Sequence, residues 1–119
     1  MFARRTLLVA LAVAIVVALW STAALGGGAQ IQTNGDNWSP RRVTVDRGSR
    51  VVWRATSGNH NVSAYGGNWT FFRAISPSAD PTAARRFRRT GTFRFRCTIH
   101  STLIGGVCNG MCGRVRVTA

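Results

Sequence analysis

Glutamate and lysine are absent from this chain of 119 residues, and aspartate occurs only at Asp36, Asp46 and Asp80. All 16 basic residues are arginine, which leaves a net charge of +13. Compositional bias accounts for arginine in place of lysine. It does not account for so few acids. A charge of this size favours an anionic partner: an acidic protein, a membrane surface or a wall polymer. The length leaves no room for a second domain. Beyond residue 29 no segment has a convincing helical period, which excludes a helical domain. Internal repeats are absent, and the glycine triplet Gly26–Gly28 is the one low-complexity run.

Arg4 and Arg5 precede an apolar run from Leu7 to Trp20, and small residues follow as far as Ala29. That order describes a secretory signal peptide, with cleavage after Gly26 or Ala29. The stretch Thr6 to Leu25 is also about long enough for an uncleaved membrane anchor, which takes roughly 20 residues. Residues 1–29 therefore read as a signal or anchor helix. No cysteine lies in the small-residue tail to carry a lipid, and the residues after Arg4-Arg5 do not complete a twin-arginine motif. Export makes nucleic acid an unfavoured partner and places the domain where disulfides persist. The expected location is periplasmic, extracellular or on the outer face of the cytoplasmic membrane.

The rest of the chain turns to short alternating runs. Arg42-Val43-Thr44-Val45, Arg50-Val51-Val52-Trp53-Arg54, Thr92-Phe93-Arg94-Phe95-Arg96-Cys97 and Arg114-Val115-Arg116-Val117-Thr118 are strand candidates. A period of two marks half-buried strands. Val43, Val45, Phe93, Phe95, Val115 and Val117 form the inward set, and arginine dominates the outward one. Ser76-Pro77 and Asp80-Pro81 favour an extended segment or loop over a helical turn at Ser78–Ala84. The reading is all-β, a two-sheet Greek-key sandwich. Trp38, Trp53, Tyr65, Trp69, Phe71, Phe72 and Phe87 are read as packing residues.

Chemistry concentrates in a few positions. The two histidines are His60, in Gly58-Asn59-His60-Asn61-Val62, and His100, three residues after Cys97. Met111 follows in Gly110-Met111-Cys112-Gly113. Two imidazoles, a thiolate and a weak axial thioether are the ligands of an electron-transfer copper site. Three cysteines leave one without an intrachain partner, and metal ligation explains such a thiol.

The chain resembles the cupredoxins, and within them the plastocyanin-like group. The likeness is carried by Trp38-Ser39-Pro40-Arg41-Arg42-Val43-Thr44-Val45, Gly48-Ser49-Arg50-Val51-Val52-Trp53, His60-Asn61-Val62, Gly91-Thr92-Phe93-Arg94-Phe95-Arg96-Cys97-Thr98-Ile99-His100 and Gly110-Met111-Cys112-Gly113-Arg114-Val115. It implies a cupredoxin-like domain over residues 30–119 and one type 1 copper ion. The implied ligands are His60, Cys97, His100 and Met111, with Asn61 bracing the two ligand-bearing loops. One departure stands out. Ten residues, Ser101 to Gly110, separate His100 from Met111, where the family has only a few. A disulfide between Cys108 and Cys112 would close this enlarged loop and leave Cys97 for copper. Leu103, Ile104 and Val107 either form an apolar patch around His100 or fold inward.

The leading expectation is a small exported blue-copper protein that carries single electrons and is not an enzyme. Its partner would be an acidic redox protein, and the carrier itself a monomer. The alternative is an extracytoplasmic protein for copper storage, delivery or metal-site assembly. A third reading is a metal-free sandwich that binds anionic surfaces.

Overall fold

The computed structural model describes residues 28–119. The signal or anchor segment lies outside the described residues apart from Gly28 and Ala29, and Ala29 already opens the first strand. Nine strands follow: β1 (Ala29–Asn34), β2 (Asn37–Ser39), β3 (Arg42–Asp46), β4 (Arg50–Arg54), β5 (His60–Tyr65), β6 (Phe72–Ile75), β7 (Thr82–Arg86), β8 (Gly91–Ile104) and β9 (Val107–Thr118). They form two sheets, ordered β2-β1-β4-β7 and β3-β9-β8-β5-β6. The pairs β1/β4 and β3/β9 are parallel and the other pairs antiparallel, so both sheets are mixed. Among the described residues there is no helix; Ser78–Pro81 is loop, and Thr82–Ala84 already belongs to β7.

The alternation explains the sandwich. Val45, Phe93, Phe95, Val115 and Val117 are buried as expected, and Val43 packs half-buried against them. Trp53, in the opposite sheet, meets the Phe95 ring edge-on at 5.2 Å, and Trp38 meets it at 5.6 Å. Edge-to-face aromatic pairs add to what burial alone contributes. Opposite Phe95 in the ladder is Gly113, where any side chain would collide with the ring. Phe72 departs from the packing role expected of it: it is 56% exposed, on the outer face of β6.

The β8/β9 ladder positions the site. Arg96 pairs with Cys112 and Ser101 with Gly110. Cys97, Thr98, Ile99 and His100 therefore bulge opposite a single residue, Met111. A bulge bends a strand and re-aims its side chains. Ser101 fastens it: its hydroxyl donates to the Cys97 carbonyl and accepts from Arg96.

Candidate metal centre

β8 runs on past Cys97, the last residue of the strand candidate, and carries His100 within it. The ladder resumes after the bulge and continues to Ile104↔Val107. Gly105 and Gly106, with φ of +57° and +77°, make the two-residue turn. Positive φ at both central positions is what a type I′ hairpin turn requires. The insertion is thus a β-hairpin arm, and Met111 lies inside β9. The arm's apolar residues face outward, with Leu103, Ile104 and Val107 exposed and Ile99 exposed at its base. Cys108 and Cys112 form the disulfide, with Cα atoms 6.1 Å apart, and Met111 lies within the loop it closes. Gly110 has φ +104°, and a side chain there would strike the His100 carbonyl oxygen.

Cys97 is the free cysteine of the described residues and is fully buried. His60 Nδ1 lies 3.9 Å from its sulfur and His100 Nδ1 3.6 Å. The ligand atoms of His60, Cys97 and His100 lie within 4.8 Å of one another. The outer nitrogens are engaged elsewhere. His60 Nε2 donates to the Ser57 carbonyl at 2.8 Å. His100 Nε2 meets Asp36 Oδ1 at 3.2 Å. The hydrogen bond at His60 Nε2 and the Asp36 carboxylate beside His100 Nε2 favour a proton on each Nε2, which leaves the Nδ1 lone pairs for a metal. Burial holds His60 below its ordinary pKa, and the nearby His100 adds to this. The Ser57 carbonyl and Asp36 act in the other direction. A neutral imidazole is the form that ligates.

Asn61 braces the centre. Its amide donates to Thr98 Oγ1 at 2.7 Å, and its carbonyl oxygen accepts from the Thr98 amide at 2.9 Å. The Asn61 backbone N–H points at the Cys97 sulfur, 3.4 Å away. Met111 is fully buried, and its carbonyl accepts from Trp38 Nε1 at 3.2 Å. The donor set of one buried thiol and two free imidazole nitrogens suits a single type 1 copper ion.

No protein-family model matches the chain, and no curated protein matches its sequence. Solved structures do match. A purple cupredoxin from Nitrosopumilus maritimus is 20% identical, with a TM-score of 0.58 over 76% of this chain and 99% of that one. Amicyanin from Paracoccus versutus is 21% identical, with a TM-score of 0.61 over 76% and 81%. Plastocyanin from Dryopteris crassirhizoma is 16% identical, with a TM-score of 0.58 over 75% and 99%.

The chain has the cupredoxin fold.

Within this cupredoxin sandwich the structure brings His60, Cys97 and His100 together and places Met111 opposite the bulge that carries two of them. Sequence reasoning did not single out Asp36, Ser57, Thr98 or Ser101 at the site. Asp36 had one visible signal, as one of only three acids in the chain. The others are common residue types whose roles depend on the bulge and on the turn before β5.

Proposed function

We propose that this protein is an exported blue-copper carrier of single electrons, with His60 Nδ1, Cys97 Sγ, His100 Nδ1 and the Met111 thioether as ligands. The observation that carries the proposal is the burial of Cys97 Sγ beside two imidazole nitrogens whose opposite nitrogens are already tied. Copper would supply a one-electron couple at this position. The protein's part is to hold the donors still, so that little moves between oxidation states. Asn61 and Thr98 lock the His60 and Cys97 segments together. Trp38 and the Cys108–Cys112 bridge fix the backbone of Met111.

Electrons would leave through His100, the partly exposed ligand at 26%. Ile99, Leu103, Ile104 and Val107 form the apolar contact for a redox protein, and the net charge of +13 steers an acidic one from a distance. The carrier is not an enzyme on its own and acts as a monomer. Copper storage or delivery calls for a thiolate that another protein can reach, and the complete burial of Cys97 favours the carrier reading. Voltammetry tests the choice. A fast, reversible one-electron wave is expected from copper-loaded protein and none from Cys97→Ser. Slow, irreversible release of cuprous ion would replace the carrier reading with delivery.

A further inference from the structure

The charge is not spread evenly over the sandwich. β1 begins at Ala29, paired with Val51, and leads at its other end to Asp36 on His100. The two ends of this six-residue strand are about 17 Å apart at the usual strand rise. At the Ala29 end the turn before β4 meets the segment after β7: Gly48 N–H donates to the Phe87 carbonyl and Arg86 donates to the Gly48 carbonyl. Arg47, Arg50, Arg85, Arg86, Arg88 and Arg89 gather here, all exposed, with Asp46 the one acid beside them. The metal end is different. Asp36 contacts His100, and Asp80 lines a hollow of about 230 Å³ with His60 and Ile99. Arg41, Arg42, Arg94 and Arg114 line a separate hollow on the flank beside Cys112, and of the arginines toward the metal end Arg41 is engaged by Asn37 and Arg96 by Ser101.

The six arginines therefore do not surround the histidine edge, and a redox partner docked there would not touch them. They surround the point where the chain enters the fold, because a side chain on Gly28 would strike the Arg50 carbonyl oxygen. Only residues 21–27 separate Gly28 from the apolar run ending at Trp20, a span under about 30 Å even when fully extended. A polybasic cluster next to an apolar segment is attracted to anionic lipid headgroups.

We propose that this arginine-rich end rests on an anionic phospholipid surface and turns the metal end away from it. The chain would then stand on the bilayer with His100 and the apolar arm presented to the aqueous side. The surface holds the orientation whether the apolar segment is retained or cleaved, more firmly when it is retained.

Amide hydrogen exchange on the full chain tests this, with phosphatidylglycerol-containing vesicles compared with pure phosphatidylcholine vesicles. An apolar anchor would engage both lipids, so the difference isolates the arginines. Exchange at Arg88–Thr90 is expected to slow on the anionic vesicles alone, while the arm at Ser101–Gly110 is unchanged. The effect should fade with salt, since the Debye length shrinks from about 10 Å at 0.1 M to about 3 Å at 1 M. The variant R47Q/R50Q/R88Q removes three charges whose side chains make no hydrogen bond among the described residues. It should lose the lipid difference and keep its copper absorption. Equal exchange on both lipids would overturn the proposal. So would protection of the arm, or protection by soluble polyglutamate without any by vesicles, which would point to an acidic protein at this end. The comparison needs no copper, so it succeeds or fails separately from the electron-carrier reading.

Discussion

Asp36 holds the outward nitrogen of His100. Its carboxylate oxygen lies 3.2 Å from Nε2, while Nδ1 of the same ring faces the Cys97 sulfur. The two-residue turn that carries Asp36 starts at Gly35, whose φ of +58° suits the first position of a tight hairpin. A carboxylate here makes the imidazole a stronger donor and favours the more highly charged metal state. Asp36→Asn should therefore bind copper and raise its reduction potential. The carboxylate is 70% exposed. Solvent then limits its effect to under about 1 kcal/mol, or roughly 40 mV on the one-electron scale where 59 mV is tenfold. A potential unchanged or lowered in the variant would contradict this role.

Asn61→Ala should keep the copper absorption and weaken the fold. Both hydrogen bonds to Thr98 are lost at a largely buried position, a cost of about 1–3 kcal/mol. For a domain of this size that lowers the melting temperature by roughly 5–15 °C. Thermal unfolding of the metal-free protein measures it.

The Cys108–Cys112 bridge closes the base of the arm and contributes no metal ligand in this account. Replacing both residues by serine should leave the absorption in place and speed amide exchange across Ser101–Gly110. Loss of the absorption in the double variant, with Cys97 intact, would mean that the ligands are misassigned.

Gly110→Ala tests the close approach at the bulge. A side chain there meets the His100 carbonyl oxygen and the Ser101 Cα, at a backbone angle that L residues rarely adopt. Strain of about 1–3 kcal/mol is expected, with His100 displaced. The variant should bind copper with altered absorption and a lower melting temperature.

Acid should destabilise the metal-free protein through His60. Burial lowers its pKa in the fold, whereas the unfolded chain keeps a value near 6.5. Below about pH 6.5 the unfolded state binds more protons than the folded one, so stability falls as pH falls. The loss levels off once pH passes below the folded pKa. Denaturant midpoints at about pH 7.5 and about pH 5.5 should differ more for the wild type than for His60→Gln.

Of the nine strands, β3, β8 and β9 were legible because they alternate cleanly, and the candidate ligands were legible because histidine and cysteine are scarce. Leu103-Ile104-Gly105-Gly106-Val107-Cys108 was less easily read. Two β-prone runs around Gly-Gly are a hairpin signal, but the segment follows His100 and reads as an enlarged loop. Only the pairing of Ser101 with Gly110 reveals the arm. The contact of Asp36 with His100 joins residues from different sheets, and no local pattern encodes it. Phe72 looks like a core aromatic by type and sits outside because its place on edge strand β6 points outward.

The central claim is that Cys97, with His60 and His100, binds one copper ion as a thiolate complex. The most direct test is the optical and electron-spin spectrum of the full chain titrated with cupric ion. Intense blue or green absorption from thiolate-to-copper charge transfer should rise to one equivalent and vanish in Cys97→Ser. A colourless complex in the wild type, or colour that survives in Cys97→Ser, would contradict the claim.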